Sequence, residues 1–241
     1  MFDPIVENKR LIDSVSPIIV DNKEQLVQIK DDHPRIFTKP MYFEQQISGS
    51  LASIYLREGV YEKLQHVLQL LPKEYSLILY DGFRPFQVQQ NLFHLFLNEI
   101  KRNNPTFSEK EIINETLKYV AYPSFEPDRI SPHLTGGAID LTLGNVKGDP
   151  LDLGTAFDEL SEKSVTRYFE DHLDENVDAL QNRRLLYNCM TAVGFANYLG
   201  EWWHYDYGNI QWARRMGEKK AQYGGVEVTI ENNLVKEFRF R

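Results

Sequence analysis

Two short stretches, Ser131-Pro-His-Leu-Thr-Gly-Gly-Ala-Ile-Asp140 and Glu201-Trp-Trp-His204, constrain this chain more than any other part of it. They lie about sixty residues apart and hold His133, Asp140, Glu201 and His204. Two imidazoles and a carboxylate suit a borderline-soft cation such as Zn²⁺, and a further carboxylate three residues before the second histidine could act as a base beside it. Three protein donors leave the fourth tetrahedral position open, the arrangement of a catalytic zinc site. Taken singly, a histidine of this kind is more often a hydrogen-bonded core residue, and an aspartate after Gly-Gly a turn residue. The ordered pattern S-x-H-x-x-G-x-A-x-D followed by E-x-W-H is far more restrictive than any one of its letters.

The spacings make geometric demands. Gly136 and Gly137 allow the backbone to bend or to pass close to another group. Ala138 to Leu143 alternates in character and reads as a strand with Asp140 on one face. In a regular strand Glu201 and His204 would point to opposite faces. If both serve one metal, the chain at Trp202 and Trp203 must turn or bulge.

Further blocks occur in a fixed order: Tyr80-Asp-Gly-Phe-Arg-Pro85, Leu153-Gly-Thr-Ala-Phe-Asp158, Asn182-Arg-Arg-Leu-Leu186 and the continuation of the second stretch to Gly208. With them, the region from about Tyr55 to Gly224 resembles the D-alanyl-D-alanine dipeptidases, the VanX-like zinc peptidases of the D-Ala-D-Ala carboxypeptidase/Hedgehog-like superfamily. The resemblance implies one Zn²⁺ per chain on His133, Asp140 and His204, with Glu201 as general base and then acid. It also implies that Arg84 stabilises the oxyanion, and that Ser131 and Asp158 meet the amino end of a small dipeptide. From position alone Arg84 would be a surface arginine paired with Asp81, and Ser131 a turn residue bonded to local backbone. The implied activity is hydrolysis of D-alanyl-D-alanine or a closely related dipeptide. Two alternatives stay open: a D,D- or L,D-carboxypeptidase or endopeptidase acting on peptidoglycan stem peptides, and a non-catalytic zinc-binding module. Glu201 and Arg84 together argue against the second.

A net charge of −8 speaks against a nucleic-acid footprint, which needs a basic face. No run approaches the ~20 apolar residues of a membrane span. The N-terminus lacks the basic-then-apolar form of a signal peptide, and the single cysteine, Cys189, excludes an internal disulfide. Cytoplasm is the expected location, and oligomeric state is open.

At 241 residues the chain is read as one α+β domain, a central, mainly antiparallel sheet flanked by helices with the zinc at one side. Residues 1–45 are expected to be an arm packed on it, with a short strand in 11–20, a turn at 31–34, and Tyr42 as core or as cover over a site. Helical spacing of apolar residues predicts helices over 59–71, 86–101 and 178–193, the last burying Cys189. Ser108 and Glu111 form a capping box for a helix to about Val120. Tyr75–Tyr80 reads as a buried strand, and 144–150 and 153–158 as loops. Asn182-Arg183-Arg184 reads as a solvated first turn or as partners of the acidic segment upstream. Residues 225–241 are expected to form a β-hairpin extension of unknown role, whose edge could support association.

Overall fold

Two runs of apolar residues too short for buried helices pair at the middle of the molecule and fix the rest. The computed structural model describes residues 2–6, 16–30, 33–159 and 161–241. In chain order the first elements are β1 (Ile18–Ile19), β2 (Leu26–Gln28), β3 (Ile36–Thr38), α1 (Met41–Glu44), β4 (Tyr55–Arg57), α2 (Glu58–Leu70), β5 (Tyr75–Asp81), α3 (Phe86–Asn103) and α4 (Glu109–Thr116). After a 3-10 turn at Pro132–Thr135 come β6 (Ala138–Asn145), α5 (Val177–Ala192), β7 (Ala196–Asn197), β8 (His204–Asp206), α6 (Ile210–Met216), β9 (Lys220–Ala221), β10 (Val226–Glu231) and β11 (Leu234–Phe240).

The main sheet has the order β3-β5-β6-β8-β7, with β3 parallel to β5 and the other pairs antiparallel. The fold is therefore α+β with a mainly antiparallel sheet, as expected. Ile139, Leu141 and Leu143 of β6 join Leu77 and Leu79 of β5 in the main core, while Asp140 and Thr142 occupy the other face of the strand. Val60, Leu64 and Val67 of α2 and Leu185, Leu186 and Met190 of α5 close that core. Full burial of each such side chain stabilises by about 1.5–3 kcal/mol. A second cluster joins Val88, Leu92 and Phe93 of α3 to Tyr42 and Val120.

Several boundaries differ from the sequence reading. Residues 36–44 are part of the domain itself and not an arm packed on it, because β3 is an edge strand of the main sheet and Tyr42 is buried. β1 is the only described strand in 11–20, and residues 11–15, like Asp31 and Asp32 of the expected turn, lie outside the described residues. α4 has the expected capping box but stops at Thr116. β6 runs two residues into the expected loop, where Asn145 pairs with Tyr75. The C-terminal hairpin forms as expected, turning through Asn232 and Asn233, both with positive φ. It packs Val228, Val235, Phe238 and Phe240 onto Leu26, Tyr55 and Phe83.

Candidate metal centre and active site

The sheet register brings the two sequence stretches together. Asp140 of β6 stands directly opposite His204 of β8, and a register shift after Leu79 sets Asp81 opposite Asp140. His133 arrives from the 3-10 turn. Gly136 ends that turn at φ 69°, and a Cβ on Gly137 would lie 2.6 Å from the Tyr207 carbonyl oxygen. Both uses foreseen for the glycine pair, a bend and a close approach, are therefore present. Between β7 and β8 the chain turns: the Glu201 amide donates to the Tyr198 carbonyl at 2.9 Å, and that of Trp202 to Ser164 at 3.1 Å. This supplies the turn that the spacing of Glu201 and His204 required, and buries Trp202 and Trp203 in the core.

The donor atoms converge. His133 Nε2 lies 3.2 Å from His204 Nδ1 and 3.4 Å from Asp140 Oδ2, while His204 Nδ1 is 3.0 Å from Asp140 Oδ1. His133, Asp140 and His204 are all buried and are a set that could hold a metal ion. Each imidazole also has an outer partner. The Nδ1–H of His133 donates to the Gly82 carbonyl at 2.7 Å, leaving Nε2 for the centre. His204 Nε2 is 3.3 Å from Asp206, leaving Nδ1. Ring nitrogens held from behind in this way are the usual second layer of a zinc site. Two imidazoles and one carboxylate so placed fit one zinc ion.

Charge in this region is set by burial and by close carboxylates. Burial opposes the charge of His204, but Asp206 and Asp140 outweigh it and lift the imidazolium to about 10. A cation at the centre competes with that proton. Burial pushes the Glu201 carboxyl up to about 8, with His204 and Arg84 opposing the shift and Asp140 and Asp158 adding to it. Glu201 lines the cavity, and no hydrogen bond ties its carboxylate among the described residues.

Arg84 is buried, not superficial. Nε donates to Asp81 at 2.9 Å, Nη1 to Gln89 Oε1 at 2.8 Å, and Nη2 to Tyr42 Oη at 3.2 Å and Asp140 at 3.5 Å. Asp158 sits at φ 60° and accepts the Tyr42 hydroxyl at 2.8 Å. Burial, then the neighbouring Asp140 charge, raise its carboxyl to about 7. Tyr42 thus joins Arg84 to Asp158, and covering the site is what its position allows.

A cavity of about 590 Å³ is lined by Tyr42, Arg84, His133, Asp140, Asp158, Glu201 and His204. Ser131 is set apart from them. Its hydroxyl donates to the Tyr122 carbonyl at 2.7 Å and accepts the Ser124 amide at 3.2 Å, the local backbone role. One lone pair of that hydroxyl is left over by these two bonds. Asp206 was not singled out from the sequence, although it lies two residues beyond His204 and so on the same strand face. Arg215, on α6, also lines the cavity, and no pattern in the sequence points to it.

A buried His-Asp-His set beside a carboxylate and an arginine, at the wall of a cavity, defines a metallohydrolase-like centre. A sequence model of the D-Ala-D-Ala dipeptidase family matches residues 50–222, and the chain belongs to that family of peptidases. It is 32% identical over 195 residues to a D-alanyl-D-alanine dipeptidase of Synechocystis sp., spanning 71% of this chain and 79% of that protein. It is 32% identical over 131 residues to one of Escherichia coli, spanning 54% of each. In structure it is similar to the vancomycin-resistance D,D-pentapeptidase VanY, solved with Zn(II), with a TM-score of 0.45 and 15% identity over 84% of this chain and 90% of that one.

Proposed function

We propose that the chain hydrolyses D-alanyl-D-alanine, or a closely related dipeptide, with one zinc ion on His133, Asp140 and His204. The observation that carries this is the convergence of those donors with Glu201, Arg84 and Asp158 in one cavity. When bound, zinc lowers the pKa of a coordinated water toward neutrality and polarises a carbonyl. Glu201, whose carboxylate has no other partner among the described residues, accepts a proton from the attacking water and returns it to the leaving amine. Arg84, held in place by Asp81 and Gln89, offers a fixed cation to the oxygen that becomes negative in the transition state.

Asp158 favours the dipeptide over the longer stem. A free ammonium gives its half-buried carboxylate a partner of opposite charge, whereas an acylated amide nitrogen would leave it with the neutral Tyr42 hydroxyl and no added cation. The test is D-alanine release from D-Ala-D-Ala, with L-Ala-L-Ala and an N-blocked pentapeptide alongside, before and after zinc removal. Zinc-dependent turnover of the free D-dipeptide alone is expected. The Glu201→Ala variant should bind zinc and lose about 10²–10⁴-fold in rate. Normal turnover in that variant would remove the assigned base, and preference for the blocked pentapeptide would favour the stem-peptide reading.

A further inference from the structure

A dipeptide carries opposite charges at its two ends, and two to three bonds beyond the scissile carbonyl its carboxylate must find a partner or stay in water. The contacts around the centre form a continuous string: Asp158 to Tyr42, Tyr42 to Arg84, Arg84 to Asp140, Asp140 to His204, His204 to Asp206, and Asp206 to Arg215. The proposed donors for zinc stand along its middle, with an acid at one end and a cation at the other.

The cations lining the cavity differ in how far they are already engaged. Lys118 is ion-paired to Glu115 and Arg129 to Glu126, both on the outer surface. Arg84 has four side-chain partners. Arg215 is held at two points among the described residues. One terminal nitrogen, Nη1, is bonded to the fully buried Asp206, and the guanidinium lies over the Tyr198 ring, 5.3 Å from its centroid. Its other N–H groups have no protein partner among the described residues, and its side chain remains 25% exposed. Asp206 is itself fixed by the Asn209 side-chain amide at 2.6 Å, so the arginine is anchored to a rigid strand. A planar cation, fixed at one corner and open at the others, is suited to a carboxylate.

We propose that Arg215 forms the subsite for the free terminal carboxylate of the substrate, restricting cleavage to the last peptide bond of a chain. This rests on the dipeptidase reading above and adds the group that recognises the leaving residue. Arg215 works through binding and is separate from the proton transfer assigned to Glu201.

The experiment measures binding without hydrolysis. Zinc-loaded Glu201→Ala protein is titrated by calorimetry with D-Ala-D-Ala and with its C-terminal amide, D-Ala-D-Ala-NH₂. Preference for the free acid by about 10- to 100-fold is expected, the range of charge-assisted hydrogen bonds to a carboxylate. Adding Arg215→Met should bring the ratio to within about threefold of unity, and Arg215→Lys should leave an intermediate preference because the charge remains. Asp206→Asn, which disturbs the strand side of the pair, should weaken both compounds alike and keep the ratio above one. Equal binding of acid and amide by the parent protein, binding of neither, or equal weakening of both by Arg215→Met with the ratio kept would each overturn the proposal. Turnover by the wild-type chain tests the dipeptidase reading separately. A binding preference that vanishes with Arg215→Met, in a wild-type chain with no turnover, would sink that reading and leave the carboxylate subsite standing.

Discussion

Arg57 and Arg84 are both buried arginines beside aspartates, yet they are held in different ways. Arg57 donates to the carbonyls of Thr135 at 2.8 Å, Glu24 at 2.9 Å and Gly224 at 3.1 Å, and pairs with Asp21 at 2.8 Å. It also lies 4.5 Å from the Phe240 ring centroid. Those partners come from the N-terminal segment, the turn that carries His133, and the C-terminal tail, so one guanidinium ties together three parts of the chain. Arg183 follows the same pattern, with the carbonyls of Leu153, Val165 and Lys163 as its partners. The guanidinium of Arg84, by contrast, has only side-chain hydrogen-bond partners among the described residues, and it faces the cavity. A carbonyl cannot leave its donor without moving the backbone. A side chain can rotate, so Arg84 can share its N–H groups with an incoming ligand.

The largest effect of that difference belongs to Arg57. Arg57→Met leaves the Asp21 charge without its cation and three carbonyls without the guanidinium, and should destabilise the fold by about 3–5 kcal/mol in urea unfolding. Arg84→Met should act mainly on rate, lowering kcat/KM about 10²–10³-fold with zinc retained. Asp81 keeps His133 Nδ1 at 3.3 Å and the cavity admits water, so its stability loss should be smaller, about 1–2 kcal/mol. A stable Arg57 variant with lost activity, or an Arg84 variant that unfolds with normal activity per folded molecule, would reverse the contrast.

The same contrast explains what could be read in advance. α2 and α3 were legible because one apolar face repeats at helical spacing, and β5 because its run is short and apolar. The metal donors were legible because spacing and residue type coincide in them. Arg84 was legible only through resemblance, since nothing local distinguishes it from a surface arginine. Arg183 fits neither a solvated turn nor a partner of the acidic segment, because its burial depends on carbonyls brought from 153–165 by tertiary packing. The neighbouring Arg184 does pair with the acidic segment, at Glu170. α4 ended early because the residues after Thr116 leave the helix to form the cavity wall, where Leu117, Tyr119 and Val120 are found. Arg215 gave no local signal, since its place at the cavity arises from tertiary pairing of its helix with Asp206 of β8.

The smallest effect, and the one that sharpens the contrast most, is the sign of two carboxylates with pH. Burial alone would raise the Asp21 carboxyl, but the Arg57 side chain and the Lys23 and Gly224 amides outweigh it and hold the group below the ordinary aspartate value. Between that folded value and the unfolded one near 3.9 the unfolded chain binds more protons, so Asp21 contributes stability above about pH 4 that is lost as pH falls. Asp158 has the opposite sign. Its folded value of about 7 lies above the unfolded one, so the folded state binds the extra proton and loses stability as pH rises from about 4 to 7. Urea unfolding of wild type, Asp21→Asn and Asp158→Asn under one metal condition separates them. The deficit of Asp21→Asn should be full at pH 6 and shrink below about pH 4, whereas Asp158→Asn should match wild type near pH 4 and exceed it at pH 7. Parallel pH profiles for the two variants would mean that the cavity carboxylate is a structural group like Asp21. Diverging profiles would place the charge of Asp158 where a substrate ammonium, not the fold, supplies its partner.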